Sequence, residues 1–208
     1  PMPRSSRYGI ALAAFGALVL TPDALFMRIS GLDGWQMLAW RGFGVGAMFW
    51  LAWLILARRE APLHRLLRPA GLVLIVAQYF NALLFPMAIA AAPVAVVLLA
   101  VATVPVWAAL LSWLALGEPT SRATWATIVA VLAGIGIAVS GHGDLALNRA
   151  ALTGALCGLG VALSLATTFV SLRRAPELPL LPALGTGALL AGLTGLLVAG
   201  PGRIGDGN

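Results

Sequence analysis

The chain alternates between apolar runs of about twenty residues and short gaps that are polar or glycine-containing. A helix rises about 1.5 Å per residue, so a run of that length matches a bilayer hydrocarbon core of about 30 Å. Seven runs can be drawn, at 8–28, 35–57, 70–90, 94–116, 122–140, 150–172 and 179–199. The gaps carry turn and charge signals: Gly31-Leu32-Asp33-Gly34, Arg58-Arg59-Glu60, Ala91-Ala92-Pro93, Gly117-Glu118-Pro119, Gly141 to Asp144, and Arg173 to Pro182. The third gap is so short that the runs on either side of it must form a tight hairpin. The seventh run is the weakest helix, because Pro179, Pro182 and its glycines all oppose one. The expected fold class is all-α, a polytopic transmembrane helix bundle.

Composition strengthens this reading. Hydrophobic residues make up 61% of the chain and charged ones 10%, with a mean hydropathy of +0.97, whereas soluble domains carry roughly 25% charged residues. A soluble fold could not cover so much apolar surface. The net charge of +6 comes from 13 arginines and no lysine. They sit in the gaps between apolar runs rather than on a polar face interleaved with aromatics, so no nucleic acid partner is expected. Cys157 is the single cysteine, which excludes a disulfide framework and a Cys-based metal motif. No cofactor or metal is called for. The first run is too long for the core of a cleaved signal peptide and lacks a convincing cleavage site.

Arginine placement sets an expected orientation. With the N-terminus in the cytoplasm, Arg4, Arg7, Arg58, Arg59, Arg65, Arg68, Arg122, Arg173 and Arg174 lie inside, and Arg28, Arg41, Arg149 and Arg203 lie outside. The positive-inside rule favours that arrangement. A faint repeat at an offset of 145 residues pairs Gly9 with Gly154, Leu18 with Leu163, Arg28 with Arg173, and Pro22-Asp23 with Thr167-Thr168. An odd number of helices separates the copies, so the repeats would be inverted, a recurring transporter construction. Any two helices rich in Ala, Leu and Gly would also align this well.

The run Ala90-Ala91-Ala92-Pro93 to Leu99, then Thr103-Val104-Pro105-Val106-Trp107, then Leu114-Ala115-Leu116-Gly117-Glu118, resembles the EamA family. That family is the ten-helix branch of the drug/metabolite transporter (DMT) superfamily. Its features are an Ala-rich hairpin, a proline within the fourth helix, and a Leu-Gly-Glu closing that helix. Gly134-Ile135-Gly136 in the next helix fits as well, as do the Gly-rich first run and Arg41 early in the second. The resemblance implies two five-helix repeats in the bacterial inner (cytoplasmic) membrane, with residues 1–145 as the first and 146–208 as the start of the second. The chain would then be truncated after about seven of ten helices, and a full polypeptide of roughly 290 residues is expected. The implied activity is secondary transport, with export more expected than import, of small organic metabolites such as amino acids by alternating access.

Polar groups inside a bilayer are costly and each asks for a reason; an ionised side chain at a helix centre costs roughly 2.5–3.5 kcal/mol. Asp23 lies in the outer part of the first run and Arg41 one to two turns into the second, at similar depth. They read either as a structural ion pair, as a substrate or proton site, or as arginine snorkelling to the interface. In the second case Asp23 titrates, giving proton coupling, and Arg41 holds an anionic moiety such as a carboxylate. Facilitated exchange without a titrating group fits equally well. Gln78, Tyr79 and Asn81 gather near the middle of the third run and could line a cavity or join helices. Thr103 and Trp107 share one face of the fourth run, with Pro105 between them breaking the hydrogen-bond ladder. In the sixth run Cys157, Gly160, Ser164, Thr167, Thr168 and Ser171 form a small, polar stripe that close packing alone would explain. The substrate-binding candidates are therefore Asp23, Arg41, Gln78, Tyr79, Asn81, Thr103, Trp107, Ser164 and Thr168. Trp35 and Trp125 read as interfacial belt residues.

No catalytic residues are assigned and no enzyme is expected. A membrane-embedded enzyme would need His, Cys or carboxylates clustered at one depth, and His64 and His142 sit apart in gaps. The segment from Ser140 to Asp144 lacks the strand-to-helix context of a nucleophile elbow and reads as a turn. A non-transporting scaffold protein is a third class, disfavoured by the polar residues near the midplane. The expected partners are a small-molecule substrate and the lipid bilayer.

Overall fold

The computed structural model describes residues 23, 26, 27, 29–57, 63–117, 122–140 and 145–200. Most of the first run, the gap at 58–60, Glu118-Pro119 and the Gly141–Asp144 turn therefore lie outside the described residues. Every regular element described is helical. α1 (Gly34–Ala52) ends in a π-helical turn at Trp53–Ala57, and a 3-10 turn at Leu63–Leu67 leads into α2 (Pro69–Ala91). α3 (Val94–Val101) and α4 (Val104–Leu116) together form the fourth run. α5 (Arg122–Ser140), α6 (Leu145–Arg174) and α7 (Leu180–Ala199) follow. Five spans among the described residues are long and apolar enough to cross a membrane: Gly34–Leu56, Pro69–Ala91, Val94–Leu116, Arg149–Arg174 and Leu180–Ala199.

The helix ends follow local chemistry. α1 starts at a capping box: the Asp33 carboxylate accepts from the backbone N–H of Trp35 and Gln36, both at 2.8 Å, and the Gln36 side chain accepts from the Asp33 N–H. α4 ends at Gly117, whose φ of +69° is the left-handed conformation glycine adopts without steric cost, with its N–H on the Trp113 carbonyl. The glycine of the Leu-Gly-Glu signature therefore has a mechanical reason. Trp35 and Trp125 stand exposed in the opening turns of α1 and α5, as belt residues should.

The bundle is apolar outside and small-residued inside. Leu56, Ile137 and Leu197 are each more than 70% exposed, while Ala39, Ala100, Ala162, Ala183, Ala188 and Ala191 are essentially inaccessible. Lipid is the solvent such an exterior fits. Between two helices in lipid no hydrophobic force remains, so close backbone approach must hold them.

The seam between α1 and α7 supplies that approach. Ala39, Gly42 and Gly46 of α1 meet Gly195, Gly192, Ala188 and Gly185 of α7 in antiparallel order, from Trp35 beside Gly195 to Trp50 beside Gly185. A Cβ on Gly42 would collide with the backbone of Gly192. The seventh run, weak on propensity, is thus a continuous helix for reasons of packing. Pro179 is its N-cap residue, Pro182 falls in the first turn where an N–H would lack an intrahelical acceptor anyway, and its glycines face neighbouring backbones. Gly187 lies against the Ile75 carbonyl of α2 in the same way.

α2 and α6 form the other long antiparallel contact. Gly154 of α6 meets Ala92 and Val97, Gly158 meets Ala100, and Gly160 meets Leu84. Of the small, polar stripe in the sixth run, Gly160 thus packs on Leu84 of α2 and Cys157 on the cluster around Val97, while Gly154 and Gly158 extend the contact onto α3. α2 also carries Pro86 in its interior, fully buried, which removes one intrahelical hydrogen bond without ending the helix.

Candidate functional site

The Asp23–Arg41 pair forms as the shared depth of the two residues predicts. Arg41 Nη2 donates to Asp23 Oδ2 at 2.8 Å, with 23% and 34% of the two side chains exposed. The Arg41 guanidinium carbon lies 5.4 Å from the centre of the Phe85 ring of α2, a cation–π contact. Arg41 Nε is buried with no partner among the described residues. Met27 and Met37, four residues from Asp23 and Arg41 respectively, belong with Phe85 to one apolar cluster that also includes Ile89 and Val97. The pair thus sits on the wall of an apolar core, where water screens it weakly. A guanidinium offers five donors in a planar fork. One is committed to Asp23, and Nε is enclosed without an acceptor among the described residues.

The other candidates fall into separate groups. Gln78 is buried with its Cβ against Gly187 of α7. Thr194 of α7 donates its hydroxyl to the Leu190 carbonyl at 3.0 Å, so the 3.2 Å contact between Tyr79 and Thr194 is best satisfied with the Tyr79 hydroxyl donating. Asn81, half-buried, continues the α2 face one turn beyond Gln78. Thr103 and Trp107 are joined directly: the indole N–H donates to Thr103 Oγ1 at 3.1 Å, and that hydroxyl donates to the Ala100 carbonyl at 2.7 Å. Thr103 is 1% exposed and stands at the break between α3 and α4. The break comes from Pro105, which has no N–H for the Val101 carbonyl; the ladder restarts with the Val106 and Trp107 N–H groups on the Thr103 carbonyl. Ser164 donates to the Gly160 carbonyl at 2.9 Å and Thr168 to the Ser164 carbonyl at 3.1 Å, so both hydroxyls are spent on their own helix. Ser164 also lines a groove of about 370 Å³ between Leu72–Phe80 of α2 and Leu163–Thr167 of α6. Among the described residues, no three His, Cys, Asp or Glu side chains come together to hold a metal.

A scan of the chain against known families matches residues 7–140 to the EamA-like transporter family, well over half of the sequence. The chain belongs to the EamA-like transporter family. Neither a curated protein nor a solved structure matches it. Family membership makes it a multi-pass membrane protein of transporter type.

Two participants escaped the sequence reading of this EamA chain. Phe85 was indistinguishable from other apolar residues of α2, and only its position facing Arg41 gives it a role. Thr194 was detectable, since it is a polar residue within an apolar run, but the glycines and prolines of that run dominated its reading.

Proposed function

We propose that this EamA protein is a secondary transporter in the bacterial inner membrane that moves small organic metabolites, such as amino acids, outward by alternating access. The observation that carries the reading is the Asp23–Arg41 pair: a half-buried charge pair against Phe85, with a buried guanidinium nitrogen still unpartnered. Intramembrane ion pairs of this kind mark substrate and proton pathways in membrane proteins. Arg41 would hold a carboxylate, and Asp23 would alternate between its arginine partner and a proton. The antiparallel packing of α1 on α7 supports inverted repeats, with residues 1–145 forming the first five-helix unit. Gln78, Tyr79, Asn81, Thr103, Trp107 and Thr168 would border the route, and the internal bonds of Tyr79, Thr103, Trp107 and Thr168 would be exchanged for substrate contacts during the cycle.

Asp23→Asn tests the coupling role. The amide keeps the size and a hydrogen-bonding oxygen, so the folded yield should stay close to that of the parent. Reconstituted vesicles should lose the acceleration of uptake by an imposed pH gradient, at least tenfold, while counterflow exchange at equal pH persists. Full pH-dependent uptake by this variant rules out Asp23 as the coupling group.

Orientation has its own test. In a Cys157→Ala background, an impermeant thiol reagent added from the periplasmic side should label Gly143→Cys and spare Pro62→Cys, as the arginine distribution requires. The reverse labelling pattern inverts the topology.

A further inference from the structure

The groove between α2 and α6 meets two arginines at one end of the bundle. α2 begins at Pro69 behind Arg68, which is exposed and makes no capping bond through its side chain. α6 ends in Arg173 and Arg174, and Arg174 is exposed. Because the helices run antiparallel, the start of α2 and the end of α6 lie side by side. The groove opens just beyond them: Leu72 is about 6 Å along α2 from Arg68, and Thr167 is about 10 Å along α6 from Arg174. The seven-residue offset keeps Arg174 on the stripe of α6 that holds Thr167, and Arg68, the extended N-cap residue of α2, accepts the Leu72 N–H on its carbonyl at 3.0 Å, at the head of the groove. Long arginine side chains at such positions reach the headgroup layer.

The groove itself selects against a polar solute. Its wall is apolar apart from Ser164 and Thr167, whose hydroxyls are turned onto the Gly160 and Leu163 carbonyls of their own helix. From Leu72 to Phe80 it runs about 12 Å, close to the roughly 15 Å of one leaflet's hydrocarbon. Beside its mouth, Arg65 ties the connector before α2 to the one after α6 by donating Nη1 to the Glu177 carbonyl at 3.1 Å. Its bonded acceptor is a neutral carbonyl, so its charge is not cancelled there, and its Nε is buried without a partner among the described residues.

We infer that this groove seats one acyl chain of an anionic glycerophospholipid, with the phosphate held between Arg68 and Arg174. Charge complementarity and an apolar channel of leaflet depth in one line identify the occupant. The inference goes beyond the transport reading and does not depend on it.

The test uses the purified full chain in a neutral detergent, titrated with phosphatidylglycerol or phosphatidylcholine, with bound lipid read by native mass spectrometry. Phosphatidylglycerol should bind about thirtyfold more tightly, the ratio expected from about 1 kcal/mol for each of two arginines at about 1.4 kcal/mol per tenfold. Arg68→Gln with Arg174→Gln should bring the two lipids level. Should the double variant fold poorly, each single variant should lose about fivefold of the preference. Val76→Trp, on an exposed position of the groove wall, should weaken both lipids by filling their seat. A preference that survives the arginine substitutions, or lipid binding untouched by Val76→Trp, overturns the proposal. So does inorganic phosphate displacing the lipid at equal concentration, which would make the site one for free anions. A disulfide dimer formed in membranes through Val76→Cys would put a second copy in the groove and overturn it as well.

Discussion

Gly42→Ala should cost the protein about 3 kcal/mol or more, and Gly44→Ala next to it almost nothing. At Gly42 the added methyl would overlap the backbone of Gly192 and come to 2.8 Å from the Ala188 carbonyl. Backbone cannot rotate away as a side chain can, so α1 and α7 must separate, and every other close contact along their seam loosens with them. Overpacking within a well-packed core costs about 1–3 kcal/mol and sometimes more. A contact of backbone on backbone belongs at the upper end. At Gly44 a Cβ meets nothing within 4 Å, so this variant keeps the seam and gains a better helix former. The two substitutions share a helix, a chemistry and nearly a depth, and differ in facing. Thermal unfolding in detergent, followed by the monodisperse fraction after heating, should place Gly42→Ala well below the parent and Gly44→Ala beside it. Equal melting of the two would mean that the seam does not hold the bundle together. Gly192→Ala, whose Cβ would come to 2.9 Å from the Phe43 nitrogen, should cost less than Gly42→Ala, and combining them should cost less than their sum, since one separation relieves both clashes.

The second large effect is expected at the ion pair. Arg41→Met should destabilise the protein by about 2 kcal/mol, between the near-zero worth of exposed pairs and the 3–5 kcal/mol of breaking fully buried ones. The intermediate value follows from the partial exposure of both side chains. The loss arises because Asp23 stays behind beside Met27 without its counterion. Adding Asp23→Leu to Arg41→Met should therefore recover most of the stability, since two apolar side chains replace two charges on an apolar wall. Stability and transport then part company. If the pair is only a clasp, the double variant regains both folding and transport; if it handles substrate or protons, it folds and does not transport. A double variant no more stable than Arg41→Met alone would contradict the desolvation account.

Much of this architecture was legible because bilayer thickness fixes helix length. The second to fifth runs coincide with helices to within a residue or two, the fourth divided by Pro105 as its position predicts. Asp23 and Arg41 could be paired in advance because a charge in lipid needs a partner. Other features were hidden for physical reasons. Propensity scores a glycine by what it costs its own helix, so the seventh run looked weak, whereas Gly185, Gly192 and Gly195 contribute through the helix they touch. Asp33 and Gln36 had the spacing of a capping box, but Asp33 read only as a turn residue of the gap and Gln36 as part of the second run. For Tyr79, type and depth were readable and direction was not. It lies one position from Gln78 on α2, and its hydroxyl meets α7, a contact no helical period in one sequence reveals.

The two-residue connection between α2 and α3 also constrains how the chain enters a membrane. Only Ala92 and Pro93 lie between the helices, and two residues extend at most about 7 Å. Neither helix can therefore come to rest across the bilayer while the other waits in water. From Pro69 to Gly117 the chain carries no Asp, Glu, Lys or Arg, so nothing within the pair resists translocation or anchors an intermediate. α2, α3 and α4 must partition into lipid as one helical hairpin during synthesis, its tip crossing uncharged.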